Sequence, residues 1–237
     1  MIANNRNMPY SVLNSIYPWL IVLCGMLFYC FNYFLRMSPS LMQADLTQAF
    51  HINATQFGFF ASLYYWAYTP MQVPAGMIYD KFGARSVLSI AILIAVAGLT
   101  LFISADSYVV AGAGRFLIGL GCAFSYIGIL KLASIWLPAN RFATVAGIAT
   151  AVGMFSGYIT NRYQGPLHTA SVVGIVLCVF LFLVVRSRPK HGQVNHTDLM
   201  HTPINVHELF AALKVIARNR QMWLIGAIGC LLYLPSS

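Results

Sequence analysis

The chain has 237 residues, of which 8% are charged and 59% hydrophobic, with a mean hydropathy of +0.72. A water-soluble domain carries about 25% charged residues, so this composition excludes a chain that faces water on all sides and places it in a bilayer. The formal net charge of +9 would suggest nucleic acid in a soluble protein. Here the basic residues sit in short segments between apolar runs, where they set membrane orientation, so no nucleic-acid partner is expected.

A spanning helix needs about 20 mainly apolar residues. Runs near 17–42, 55–78, 86–105, 108–135, 142–161 and 170–185 predict six of them. The first is followed by Arg36, Met37, Ser38 and Pro39 rather than a small-residue cleavage site, and its apolar stretch exceeds a signal-peptide core. It reads as a retained span. Lys81, Arg85, Arg141, Arg186, Arg188, Lys190, Lys214, Arg218 and Arg220 fall between the second and third runs, between the fourth and fifth, and after the sixth. The alternate segments hold Asp45 and Asp106, with Arg162 the basic exception. This bias predicts a multi-pass protein with a cytoplasmic N-terminus, and a bacterial inner membrane is the expected location.

Three regions are expected: a bundle over 1–185, a basic cytoplasmic linker over 186–220, and an incomplete seventh span over 221–237. The linker holds His191, His196, His201 and His207, whose irregular spacing and lack of a cysteine or carboxylate cluster do not suggest a metal site. Its part near 206–218 reads equally as an amphipathic helix on the inner leaflet or as a solvated connector. The last apolar run would reach about 24 Å of a core about 30 Å thick. The sixth run is also short for a crossing, and both lengths suggest a truncated or internally shortened chain. Cys24, Cys30, Cys122, Cys178 and Cys230 all lie in apolar stretches with no ligand spacing and read as small buried hydrophobes.

The sharpest motif is Gly76-Met77-Ile78-Tyr79-Asp80-Lys81-Phe82-Gly83-Ala84-Arg85. Gly83 permits a positive φ in a tight turn, Gly76 permits close helix approach, and Asp80 can accept from a basic partner or a helix N-terminus. The motif resembles the signature loop of the major facilitator superfamily of secondary transporters. Arg115-Phe116-Leu117-Ile118-Gly119-Leu120-Gly121 is similar to that superfamily's fourth-span arginine motif, and 131–141, reading KLASIWLPANR, to the end of that span. The resemblance implies an all-α integral membrane fold of two six-helix halves with substrate between them. This chain would supply the N-terminal half and part of a seventh helix.

Residues 32–46, reading NYFLRMSPSLMQADL, together with the spacing of Ser62, Tyr68, Gln72, Pro74, Gly76 and Asp80, resemble the anion:cation symporter group. In that group a first-span arginine binds the substrate carboxylate, and Arg36 falls on it. Independently, Tyr29, Asn32, Tyr33, Arg36 and Ser40 fall within a sector of about 100° on a helical wheel. A guanidinium fork there suits a carboxylate or phosphate, while the competing reading has Arg36 snorkel to the interface. Arg115 shares a sector of about 60° with Gly119, Cys122 and Tyr126. It reads either as a cavity cation or as an arginine that satisfies helix-end carbonyls. Lys131 points about 160° away from it and is expected to snorkel inward. Tyr65, Tyr68 and Gln72 are candidates for hydrogen bonds to a solute or for helix packing. Pro70 and Pro74 are expected to kink the second span, and Gly147, Gly153 and Gly157 to allow close, rocking contacts.

The substrate set is therefore Arg36, Asn32, Tyr29, Tyr33, Arg115, Tyr126, Tyr68 and Gln72. The expected conformational latch comprises Gly76, Asp80, Lys81, Gly83, Arg85 and Arg141, with Asp80 meeting Arg141 or Arg85. The group places acids where this chain has Leu35 and Cys122, so no proton site is expected in the six spans. Coupling would come from the absent C-terminal half, from sodium on backbone oxygens, or not at all. No cofactor or metal is expected; the partners are the bilayer, a small solute, a coupling ion if one is used, and the missing six-helix half. The expected function is alternating-access transport of a small polar or anionic solute of carboxylate or amino-acid type. The alternative is a non-transporting half that needs a partner. No nucleophile–base pair, metal set or phosphate loop suggests an enzyme.

Overall fold

The computed structural model describes residues 10–160, 162, 167–185 and 218–233, all of the ordered elements being helical. The expected histidine tract, the 206–218 segment up to Ala217 and most of the 161–166 turn lie outside the described residues. By packing the chain divides into two units, Met1–Gln193 and Val194–Ser237.

The first unit holds α1 (Tyr10–Leu41), α2 (Gln43–Ala49), α3 (Ala54–Phe82), α4 (Ala84–Ile103), α5 (Tyr108–Cys122), α6 (Phe124–Trp136), a 3-10 turn (Ala139–Arg141), α7 (Phe142–Thr160) and α8 (Leu167–Val184). The second holds α9 (Arg220–Tyr233). Among the described residues, four stretches are long and apolar enough to cross a membrane: Tyr17–Leu41, Ala84–Ile103, Tyr108–Trp136 and Ala139–Thr160. His168–Val184 is a shorter apolar helix. With 29 residues, α3 extends about 43 Å, long enough to span, but its tyrosines, Gln72, Asp80 and Lys81 dilute its apolar character.

Sequence chemistry sets the helix ends. Asn53 caps α3 in a reciprocal box: its side chain accepts from Gln56 N, and the Gln56 side chain accepts from Asn53 N. At the other end Gly83 takes φ 76°, which joins α3 to α4 through a single residue. Ser107 caps α5 by accepting from Val110 N. Two features depart from the expected elements. The short α2 follows α1 after one residue, and the fourth span is divided at Ala123 into α5 and α6. At that break the Cys122 carbonyl is taken by the Ser125 hydroxyl at 2.8 Å, and the Asn32 amide also reaches it. Side-chain donors of this kind compete with the helix ladder and bend it.

Helix α1 packs against α6, α7 and α8, while α5 packs against α3 and α4 and α4 also meets α8. Small residues let backbones meet, as expected where lipid removes any hydrophobic drive between helices. A Cβ on Gly98 would lie 2.7 Å from Ile118 N, and one on Gly114 would lie 2.7 Å from Phe102 N, so these two glycines face each other across α4 and α5. A Cβ on Gly153 would come within 2.6 Å of the Tyr29 ring, which fits the close contact expected there. Gly76 and Gly147 do not follow that expectation, because the space beside each is open in this bundle. Cys24, Cys122 and Cys178 are buried, whereas Cys30 is half-buried.

Candidate functional site

The polar groups gather at two levels of the bundle. The first lies toward the end of α1 and the starts of α3 and α5, and Pro39 organises it. In a helix the Leu35 carbonyl accepts from the N–H of residue 39, which proline lacks. Arg115 takes over: Nη1 donates to the Leu35 carbonyl at 2.6 Å and Nη2 to the Arg36 carbonyl at 2.7 Å. Ser38 Oγ also donates to Leu35 O at 3.0 Å. Arg115 is 2% exposed, and its guanidinium lies 5.0 Å over the Tyr64 ring. Of the two readings open in the sequence, the geometry is that of an arginine on helix carbonyls, with α1 as the helix it serves.

Arg36 sits beside it and is half-buried. Its Nε donates to Tyr65 Oη at 2.8 Å, and its guanidinium lies between the rings of Tyr33 and Tyr65, 5.6 and 5.2 Å from their centroids. Aromatic faces attract the cation and hold its plane. Two guanidinium groups, one buried and one at the bundle edge, thus meet at a single turn of α1. Tyr65 itself is 42% exposed, so this side of the cluster opens outward.

The expected polar face of α1 is divided by its neighbours. Asn32 does not share an open surface with Arg36: it is 3% exposed and its amide is used inside the bundle. Its Nδ2 donates to Ser125 Oγ at 2.7 Å, and its Oδ1 accepts from Tyr64 Oη at 2.6 Å. Tyr29 and Tyr33 are buried with ring centroids 5.1 Å apart, and Tyr29 lies 5.3 Å from half-buried Tyr126. Tyr68 is half-buried and stacks on Tyr64 at 5.4 Å, and Gln72 is half-buried one turn further along. The structure therefore groups Arg36, Tyr33, Tyr65 and Tyr68 near Arg115 and assigns Asn32 to a packing network. Tyr64, Ser125 and Pro39 were not singled out for this level; only Pro39, through its missing N–H, carried a readable signal. A shallow apolar groove of about 230 Å³ runs nearby between α1 and α7, lined by Cys30, Phe34, Phe155 and Ser156 among others.

The second level lies at the opposite end. Asp80 forms an ion pair with Lys131, which joins α3 to α6. This corrects the expected partners. Arg85 instead lies over the Phe182 ring at 4.2 Å, and Arg141 is exposed in the 3-10 turn. Lys131 reaches Asp80 because both sit within two turns of the shared end of their helices. Lys81 is exposed beside Phe82, 5.3 Å from its ring. Among the described residues no three His, Cys, Asp or Glu side chains group as metal ligands.

The profile of the Major Facilitator Superfamily matches residues 22–236, nearly the whole chain. The chain belongs to the major facilitator superfamily. Curated relatives from the superfamily include the uncharacterized transporter YybO of Bacillus subtilis, 24% identical over 84% of this chain and 50% of its own length. The probable galactarate/D-glucarate transporter GarP of Escherichia coli is 25% identical over 85% of this chain and 46% of its own. A putative tartrate transporter of Agrobacterium vitis is 26% identical over 67% of this chain and 36% of its own. The chain thus spans about half the length of the curated relatives it matches. Among solved structures, a bacterial homologue of the human lysosomal transporter Spinster, inward-facing and unoccupied, aligns with TM-score 0.70 and 16% identity, covering 87% of this chain and 50% of that one. The fold is accordingly the N-terminal half of the superfamily's membrane-embedded, all-helical architecture.

Proposed function

We propose that this chain forms the N-terminal half of an alternating-access carrier for small organic anions, with Arg36 as the group that meets the substrate carboxylate. The observation that carries this reading is the meeting of Arg36 and Arg115 at one turn of α1. Arg115 grips the backbone of Arg36, and Tyr33 and Tyr65 bracket its side chain. A planar cation fixed in this way suits bidentate contact with a carboxylate. The relatives named for galactarate, D-glucarate and tartrate make hydroxylated dicarboxylates the first class to test, with Tyr68 and Gln72 placed to meet hydroxyl groups. Amino acids, whose α-carboxylate would use the same guanidinium, are the second class.

The reading includes a second six-helix half. Only 17% of the α7 stretch is buried against 61% for the first span, which leaves Phe155, Tyr158 and Ile159 outward for a neighbour. It keeps the regions 1–185, 186–220 and 221–237 as bundle, linker and start of the next half. It also places the N-terminus and the Asp80 level in the cytoplasm of a bacterial cell, by the distribution of basic residues. The three acids among the described residues, Asp45, Asp80 and Asp106, lie toward the ends of the spans. A proton-coupling acid would therefore belong to the other half.

The test is uptake by the transporter reconstituted in proteoliposomes, with labelled D-glucarate and a neutral amino acid offered separately. D-Glucarate uptake that falls at least tenfold in Arg36→Ala and in Arg36→Lys supports the reading, since lysine cannot reproduce the fork. Normal uptake in both variants removes Arg36 from the site.

A further inference from the structure

We propose that Tyr64, Asn32 and Ser125 form a buried relay that positions Arg36 and ties it to the break between α5 and α6. This inference rests on the reading of Arg36 as the anion-binding residue. The relay has a direction. Tyr64 Oη donates to Asn32 Oδ1 at 2.6 Å, Asn32 Nδ2 donates to Ser125 Oγ at 2.7 Å, and Ser125 Oγ donates to the Cys122 carbonyl at 2.8 Å. Tyr64, Asn32 and Ser125 are 1%, 3% and 0% exposed, so neither solute nor lipid replaces a lost partner. A network this deeply buried is stable when complete and costly when one link is removed.

Its connection to Arg36 is twofold. Asn32 lies one helical turn before Arg36 on α1, so anchoring Asn32 fixes the rotation of α1 at the level of Arg36. Tyr64 supports the same residue from the other side. Its ring underlies the guanidinium of Arg115, whose Nη2 holds the Arg36 carbonyl. The ring also meets Tyr65 edge-on at 5.2 Å, and the Tyr65 hydroxyl accepts from Arg36 Nε. Backbone and side chain of Arg36 are therefore both held by groups that rest on Tyr64. At the far end the relay closes on Cys122, the last residue of α5. A displacement of α1 when the site fills is carried into the break or else ruptures the relay. Tyr64, Asn32 and Ser125 are positioning residues and do not contact the solute.

Tyr64→Phe is the decisive variant, because it removes one hydroxyl and keeps the ring. In reconstituted transporter with D-glucarate as the probe, it is expected to raise KM about tenfold while kcat stays within about twofold, and Arg36→Lys to raise KM at least as much. In the Arg36→Lys background, adding Tyr64→Phe is expected to change KM by less than about twofold, because the group it positions has already been altered. A purely structural role would lower the amount of active protein without moving KM. The relay is overturned if Tyr64→Phe leaves KM unchanged while Arg36→Lys raises it, or if Tyr64→Phe raises KM equally in both backgrounds. An unchanged KM in Arg36→Lys instead sinks the reading of Arg36, and the relay falls with it. Should Tyr64→Phe fail to accumulate in the membrane, Ser125→Ala removes the last link and carries the same expectations.

Discussion

Leu35 lacks its helical donor because residue 39 is proline, and a bilayer interior offers no water in its place. The guanidinium of Arg115 meets that need and extends it to the next carbonyl, so one buried cation holds a weakened turn of α1 together. Arg115→Ala is expected to destabilise the bundle by about 1–3 kcal/mol, the cost of losing charge-assisted hydrogen bonds to two carbonyls, of which Leu35 keeps only the Ser38 hydroxyl as a side-chain donor. Restoring the donor with Pro39→Ala is expected to reduce that loss by about 1 kcal/mol. Thermal unfolding of the four proteins in mild detergent measures both, and equal losses with and without Pro39 would sever the link between the two residues. Pro39 and Arg115 are each conspicuous in the sequence. Their partnership is not, because 80 positions separate Arg115 from the carbonyl it serves, and helical periodicity relates only near neighbours. Asn32 illustrates the same limit. A helical wheel places it with Arg36, but the wheel does not say which neighbouring helix lies against each part of the face.

Among the elements, the spans were legible because each is a run of apolar residues ended by a charge, a cap or a glycine. The break at Ala123 was not, since the residues on either side are as apolar as the rest of the span. It arises from Ser125 and from Asn32 of a different helix, which no local pattern reports. The glycines divide in a related way: Gly76, Gly147, Gly153 and Gly157 read alike as candidates for close packing, but the structure sets Gly153 against the Tyr29 ring and leaves open space beside Gly76 and Gly147. Gly114→Ala places a Cβ against the α4 backbone and is expected to abolish monodisperse protein in size-exclusion chromatography. Gly147→Ala adds a methyl to open space and is expected to leave the elution profile unchanged. A well-behaved Gly114→Ala protein would show that α4 and α5 can separate at little cost.

For the molecule as a whole, polar chemistry lies at two ends of a bundle whose exterior is apolar, with Val172, Val176 and Leu183 among the outward residues of α8. The ion pair of Asp80 and Lys131 joins α3 and α6 at one end, and the arginine pair joins α1 and α5 at the other. If the first is a latch released during transport, Asp80→Asn and Lys131→Gln should each increase maleimide labelling of a cysteine placed at Ala133, which is 1% exposed here. The charge exchange combining Asp80→Lys with Lys131→Asp should restore the original labelling. Labelling that ignores all of these changes would leave the pair without a role in opening. The membrane class and the alternation of basic and acidic segments could be read from the chain alone. The choice of Lys131 over Arg85 or Arg141 could not, because it depends on how α3 and α6 are rotated against each other.

The hydroxyl of Tyr17, early in α1, donates to the carbonyl of Val184, the final residue of α8, and its ring meets Trp136 edge-on at 5.4 Å. That bond joins the first and last helices of the bundle across 167 positions. A ribosome adds about 5–20 residues each second, so on the order of ten seconds pass between the emergence of Tyr17 and that of its acceptor. Throughout that interval α1 waits in the membrane without the helix that completes its packing. The bond to Val184 thus forms late in the birth of the bundle, and a pause in synthesis before α8 would leave α1 packed against α6 and α7 but without its hydrogen-bonded link to α8.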